Sequence, residues 1–491
     1  MSPLGSILRL FRRAETAPSR PASPGRRVSG RYDAAQTSDE NRRHWAAADH
    51  LSPNAALSPQ VRALVRARAR YEVANNSFAA GMVGTLANDL IGTGPRLQLL
   101  TSDAAANREV ERAFRAWSRR VNLAEKLRTM RRARAVDGEA FALRTTNTQL
   151  PDVQVDLRLI EADQVASPAA TADQLVDGIQ LDRNGVPLRY EVLDTHPGDQ
   201  TGGIPRTRLV SAANVCHLFR VDRPGQARGM SELAPALSLF ALLRRYTLAV
   251  VRAAETAASI SGTLESEAPA DDEDAVITEP GDTFELDRGS LLALPAGARM
   301  QQVKAEQPTT TYPMFRDALL NEVARALGIP FNVAAGNSGG YNYASGRLDW
   351  QIYHRLLGVE REQVECVILD PLLTDWMDEA ALTGIAPAAW RSLAEIPHRW
   401  MWPGHEHVDP AKEANAQRIR LESRTTTLFT EYAKQGLDWE AELRQIAAEQ
   451  ALMRELGLSS PGTSTTADEP DDTDTDQDDE LAESELEEAS A

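Results

Sequence analysis

Apolar residues recur at helical spacing over the longest stretches of this chain. In "TTTYPMFRDALLNEVARALG", Phe315, Leu319, Val323 and Leu327 fall every four residues and form one stripe on a helix. Gly328 and Pro330 supply its stop. "SELAPALSLFALLRRYTLAVVRAAETAASI" (231–260) predicts a second long helix, with Pro235 suited to its first turn. Between the two lies the acidic, turn-rich and weakly β "SEAPADDEDAVITEPGDTFELDRGSLLALPAGARM".

Upstream, residues 58–92 read as one helix that Ser58 caps, Pro59 starts and Gly92 ends. "AANREVERAFRAWSRR" predicts another helix, and "LAEKLRTMRRARAVDGEAFALR" a helix running into a strand. From "VDLRLIEADQV" to "ANVCHLFRVD" the pattern alternates, with "DRNG" and "HPGD" as turns, which marks a β-rich stretch. "FNVAA" (331–335) could form a short strand. "RLDWQIYHRLLGVEREQVECVILDPLLTDWMDEAAL" predicts one long helix from near Gly346, and two more are expected at 410–434 and 438–456, with Asp438 as a cap. The fold class is α+β, without repeats.

The ends differ in composition. Residues 1–45 are rich in Pro, Ser, Gly and Arg, with nine arginines against four acids. Residues 461–491 hold 13 acidic side chains and no basic one. Both ends lack the apolar content that offsets ordering entropy and are expected to be disordered. The formal net charge of −18 makes a strong static DNA binder unexpected, because such binding rests on Lys and Arg neutralising phosphates. Weak contact that lets DNA slide remains compatible with it. The start has no secretion signal pattern, and "YTLAVVRAAETAASI", the best membrane-span candidate, is interrupted by Arg252 and Glu255. A soluble, intracellular product is expected. Cys216 and Cys366 stand far apart without a surrounding Cys/His cluster, and read as reduced, mostly buried thiols.

Candidate chemistry centres on "GNSGGYNYASG", which contains Gly-x-Ser-x-Gly around Ser338. A serine nucleophile needs a strand, a sharp turn and a helix, with a parallel sheet behind it. Here the residues after Gly340 are turn-like and no βα series surrounds them. In "HEHVDP", His405 and His407 at i, i+2 would share a face only on a strand, and prolines flank them. "GTGPR" follows a helix and reads as its stop. Arg62, Arg66, Arg68 and Arg70 could contact nucleic acid, but fit better as a solvated helix face or a subunit contact. "DDED" (271–274) lacks EF-hand spacing. No catalytic residue, metal site or cofactor is expected. The alternative is a DNA-processing hydrolase using Ser338 or the His405/His407 cluster.

Several stretches together resemble the lambda family of tailed-phage portal proteins: "RARARYEVANNSFAAGMVGTLANDLIGTGPRLQ", "AVDGEAFALR", "LIEADQV", "HLFRVDRPGQARGMSELAPAL", "EVARALGIPFNVAAGNSGGYNYASGRLDWQIY" and "WMWPGHEHVDPAKEANAQ". They follow the family's order over roughly residues 30–455. The resemblance implies a non-enzymatic portal fold assembled as a cyclic ring, usually of twelve subunits. After a basic arm at 1–45, it implies a wing at 46–230 and stem helices at 231–260 and 307–328 around a clip at 261–306. A tunnel loop at 329–346, a wing and long helix at 347–409 and a helical crown at 410–457 would follow, while the first residues and the disordered acidic tail at 458–491 lie outside the resemblance. The implied partners are further copies of the chain, double-stranded DNA, the terminase large subunit, a head-completion adaptor, scaffold and major capsid protein, with no membrane. The protein would be made in the host cytoplasm and end in the virion, at the capsid's portal vertex. A head adaptor is a third reading, although adaptors are generally much shorter.

Within that reading, Asn337, Ser338, Tyr341, Asn342 and Tyr343 are the neutral groups of a DNA-facing loop. Gly336, Gly339, Gly340 and Gly346 are its flexible glycines. No Lys or Arg occurs from Phe331 to Gly346, so strong phosphate anchoring is avoided.

Overall fold

The computed structural model describes residues 39, 42–167, 175–199, 206–259, 263–266, 298–301, 311–392, 396–404 and 410–458. The clusters at 271–274 and 405–409, the acidic tail and most of the basic arm lie outside these residues. The chain divides into Met1–Ser52 and Pro53–Ala491. In the first unit, a turn spans 42–47 and the rings of His44 and Trp45 meet edge to face.

The second unit opens with a short helix α1 (Pro53–Ala56), then α2 (Pro59–Asn75) and α3 (Ser77–Ile91). The single helix expected over 58–92 is therefore two. Asn76 leaves helical geometry, and its side chain accepts from the amides of Phe78 and Ala79, so it caps α3. Gly92 ends α3 as expected, at φ +55. Strand β1 (Arg96–Leu99) precedes α4 (Ala104–Arg120) and α5 (Leu123–Asp137), which Gly138 ends in the left-handed region.

The β-rich stretch supplies β2 (Glu139–Thr146), β3 (Val155–Ile160), β4 (Leu175–Val176), β5 (Ile179–Leu181), β6 (Pro187–Leu193), β7 (Thr207–Ser211) and β8 (Val215–Phe219). One antiparallel sheet runs β3-β2-β8 and another β4-β5-β6-β7. Strand β2 is central and buried on both faces. Its alternation sends Ala140 and Ala142 into the main core and Phe141 and Leu143 into a smaller core shared with Ile179, Tyr190 and Val192.

Helix α6 (Leu237–Ser259) and, later, α7 (Thr311–Leu327) bracket an antiparallel pair, β9 (Thr263–Ser266) with β10 (Ala298–Gln301). The two helices are zipped where Tyr246 stacks on Tyr312 and Thr247 bonds to the Tyr312 hydroxyl at 3.1 Å. With its preceding turn, α6 is long and apolar enough to cross a membrane by length and composition. Arg244 and Arg245 fall mid-stretch, where each would cost about 3 kcal/mol in a bilayer centre. Arg244 instead lies over the Tyr71 ring and pairs with Glu72 at 3.6 Å, docking α6 on α2.

The remaining helices are α8 (Phe331–Ala335), α9 (Tyr343–Val364), α10 (Asp370–Leu382), α11 (Pro410–Glu422), α12 (Leu428–Lys434) and α13 (Trp439–Glu455). "FNVAA" is thus a helical turn rather than a strand, and the long helix starts at Tyr343 rather than near Gly346. A π-helical turn, Glu365–Leu369, joins α9 to α10. Pro371 follows it and has no amide to continue the ladder, which accounts for the widened turn. The helix expected over 410–434 breaks because Arg424 adopts φ +58 and Thr427 caps α12 through the Thr430 amide.

Strand β11 (His398–Met401) pairs with β1 and closes the main core from the far end of the chain. Trp376, fully buried, contacts Phe114 and Trp117 there, and Phe114 also meets Trp400.

Candidate functional site

The segment expected to face DNA begins where α7 stops. Gly328 takes φ +70, and the amide of Ile329 returns to the carbonyl of Ala324 at 3.1 Å, satisfying the helix end. Pro330 then starts α8, which Gly336 ends at φ +62. Asn337, Ser338, Gly339, Gly340 and Asn342 are all exposed. The Gly339 amide donates to the Asn337 side chain at 2.9 Å, and the Tyr341 amide to the Ser338 carbonyl at 3.1 Å. Gly340 holds φ +84, which a side chain would strain. Tyr341 is half-buried, and its hydroxyl donates to Asp349 at 3.1 Å.

Three residues assigned to the loop belong to α9. Asn342 is its cap, accepting from the Ser345 amide at 2.8 Å while the Ser345 hydroxyl accepts from the Asn342 amide at 3.2 Å. Tyr343 is the first residue of the helix. Gly346 sits inside it, with its amide bonded to the Asn342 carbonyl at 3.0 Å, so it is a helix residue and not a flexible loop glycine. The exposed element is therefore a short turn, 336–341, between two helix ends.

Ser338 stands at no nucleophile elbow. A helical turn precedes it, no strand leads into it, and its carbonyl rather than its hydroxyl is engaged. The turn carries no charged side chain.

Helix α9 is pinned behind the turn. The Tyr353 hydroxyl donates to Asp89 at 3.0 Å, and Arg361 donates to the carbonyls of Asp89 and Leu90, the last turn of α3, at 3.1 and 3.0 Å. A cation there also complements the helix dipole.

Sequence reasoning missed the charged interior of the β-rich region. Glu139, 0% exposed at the start of β2, is gripped by Arg228, Arg62 and Arg66. The Gly229 amide donates to it at 2.9 Å, and the ring of His217 lies 3.2 Å away. Arg62 also pairs with Asp177, and Arg66 with Asp163. Arg62 and Arg66 are therefore neither a solvated face nor a subunit contact: they are buried ion-pair partners.

The electrostatics follow from crowding. Burial first, then the charge of Arg228, pushes Arg62 down to about 9 against the pull of Glu139. Glu139 lies well below the usual carboxylate range, because Arg228 and His217 outweigh its burial. His217 is lowered by burial and by the neighbouring guanidinium groups, although Glu139 raises it. It stacks between Phe141 and Phe219 with both centroids at 4.2 Å.

A second buried cluster joins Arg131 and Arg134 of α5 to Glu232 and to Glu360 of α9. Among the described residues, Glu161, Asp163 and His196 are spaced to hold a metal ion. Their carboxylates are already paired, Glu161 with Arg70 at 3.1 Å and Asp163 with Arg70 at 2.9 Å.

The probable portal protein of Halomonas phage phiHAP-1 is 25% identical over 464 residues, covering 84% of this chain and 86% of the relative. Portal protein B of Escherichia phage lambda is 22% identical over 479 residues, covering 85% and 88%. Among solved structures, a chain in the neck of the native gene transfer agent particle, computed with C12 symmetry, aligns with TM-score 0.43 at 16% identity, covering 77% of this chain and 94% of that one. The family model for "Phage portal protein, lambda family" matches residues 39–357, and the chain belongs to that family.

Proposed function

We propose that the chain assembles as a cyclic ring of twelve copies at one capsid vertex, with a channel through which DNA enters during packaging and leaves during ejection. Family membership carries this reading, since a portal is a structural, non-enzymatic conduit and docking platform. In this reading 46–230 with 347–409 form the wing, α6 and α7 the stem, 261–306 the clip and 410–457 the crown.

Surface chemistry supports the ring. Leu242, Leu248 and Val251 on α6 and Met314 and Phe315 on α7 are exposed in the single chain. Apolar side chains on a helix pair without a covering layer suit contact with the next copy. A heterologous contact of this kind closes into a ring when its rotation permits.

The turn 336–341 is the proposed DNA-facing element. It is neutral, exposed and backed by a pinned helix, so it can approach phosphates without holding them. The clip would receive the terminase large subunit and later a head-completion adaptor. Scaffold and major capsid protein would meet the ring from the shell side, with the completed portal residing in the virion.

Negative-stain microscopy and mass photometry of the purified chain test the assembly. Rings many times the mass of one chain are expected. A monodisperse monomer at micromolar concentration, with no rings in capsid preparations, would refute it.

A further inference from the structure

Helix α4 carries Arg108, Arg112, Arg115 and Arg119 at spacings of four, three and four. That pattern puts all four on one helix face, along about 17 Å. Each is exposed. Arg96, also exposed, stands beside them on β1, and the cleft at these elements is lined by Arg96, Arg108, Arg112 and Arg115 together with Glu111, Asp438, Glu440 and Glu442 at its α13 end.

These cations are poorly balanced. Arg108 reaches Glu440 only at 3.9 Å, and Glu440 is engaged by Arg444 at 2.6 Å. Among the described residues, no acidic side chain pairs with Arg96, Arg112, Arg115 or Arg119 within 4.0 Å. Glu111 is turned off the stripe, accepting from the Leu99 amide at 2.6 Å. Partial burial, then the like charges of Arg96 and Arg119, lower the Arg115 pKa. Like charges at such spacing destabilise a helix by a few tenths of a kcal/mol per pair, so an anionic partner stabilises it.

The chain supplies such a partner. Residues 461–491 carry 13 acidic side chains and no basic one. They follow α13, whose start lies at the near end of the stripe, where Asp438 accepts from Gln98 at 3.0 Å. Helix α13 is about 25 Å long. The 33 residues beyond Leu458 can span roughly 110 Å, enough to return along it.

We propose that the acidic segment 461–491 docks on the arginine face of α4. Tethering gives it a high effective concentration there, so it outcompetes free polyanions. In a protein that passes DNA, this shields a basic face that would otherwise hold phosphate. The assignment stands on the charge geometry and does not depend on ring formation or on the role of the turn at 336–341.

The test uses the full-length chain with the acidic residues of 461–491 replaced by Asn and Gln, and a fluorescent peptide of sequence 461–491 as probe. Fluorescence anisotropy should show the peptide binding this chain, with affinity falling steeply between about 50 and 200 mM salt. Binding should weaken about tenfold or more when Arg112→Glu and Arg115→Glu are added, and similarly on the natural chain, whose own segment occupies the face. Arg112→Ala with Arg115→Ala should give an intermediate loss, with melting not lowered in either pair. Peptide affinity indifferent to these substitutions, or equal for the natural and neutralised chains, would overturn the proposal. So would a 20-base-pair duplex that binds through Arg112 and Arg115 where the peptide does not.

Discussion

Arg228 grips Glu139 with two nitrogens, Nη2 at 2.6 Å from Oε1 and Nε at 2.9 Å from Oε2, in a site closed to water on every side. This fork holds the loop 223–229 against the start of β2. Asn54 clamps the same loop from outside, donating to the Gly225 carbonyl and accepting from the Ala227 amide, both at 3.0 Å. Removing the carboxylate leaves three guanidinium groups facing one another. Glu139→Ala is expected to cost about 3–5 kcal/mol, read as a lowered denaturation midpoint. Glu139→Gln, which keeps the shape without the charge, should cost nearly as much. A stable Glu139→Ala protein would show that the cluster is not what holds this region.

Two glycines permit that fork. A Cβ at Gly229 would lie 2.1 Å from the Gly138 carbonyl oxygen, and Gly138 itself sits at φ +93 against the backbone of Met230. Backbone cannot yield as a side-chain end does. Gly229→Ala should destabilise by about 3 kcal/mol, although it deletes no contact. Thermal melting distinguishes it from Gly185→Ala, where nothing crowds the Cβ position and only the positive φ of +82 is strained.

His217 sets an acid limit. Its folded pKa is depressed, first by burial, so below about 6.5 the unfolded chain takes up a proton that the folded chain resists. Its contribution is complete above that value and is lost as pH falls through it. His217→Gln can still donate to Glu139 but does not titrate, so the natural chain should lose melting temperature relative to this variant as pH falls below about 7.

Glu111 acts in the opposite sense. Burial pushes it up to about 7, Asp438 and Glu440 add to the rise, and the Leu99 amide opposes it. The folded chain keeps a proton that the unfolded chain releases from about pH 4.5 upward, so stability declines as pH rises toward 7. Glu111→Gln retains an acceptor for Leu99 and should melt higher than the natural chain at pH 8, with little difference at pH 5. Equal melting at both values would exclude this role.

In the turn, Ser338→Ala should leave packaged DNA per particle nearly unchanged, because the hydroxyl holds nothing in place. Deleting 337–341 spares the Asn342 cap and should preserve ring assembly while lowering DNA content. Packaging lost on Ser338→Ala with rings intact would sink the neutral-turn reading, and normal DNA content after the deletion would show that another element faces the DNA.

Helix identity was legible wherever periodicity ran long, as in α7, and β alternation marked β3 and β8. Breaks were harder. Asn76 and Thr427 each look like ordinary helix-surface residues until their side chains are seen bonding to amides two and three residues ahead. The β1–β11 pairing spans some 300 residues, beyond the reach of local pattern. The ion cluster was hidden for a similar reason: Arg62 and Arg66 on an amphipathic stretch look solvated unless Glu139 and Asp177 are known to fold over them. Its signal lay in the stretches that carried the family resemblance, "DGEAFALR" and "RPGQARGM", where the glycines and charges that resembled the family are those that build the fork.

The buried carboxylate also orders events in time. Glu139 draws its partners from residues 62, 66, 217 and 228, and Arg228 arrives 89 positions later in the chain. Arg62 and Arg66 precede Glu139 and meet only its Oε1, so until Arg228 is in place, sealing the end of β2 would bury the carboxylate without the fork that engages both oxygens. Docking of the loop 223–229 is therefore expected late in folding, and Asn54→Ala, which removes the loop's outer clamp, should slow refolding measured by stopped flow.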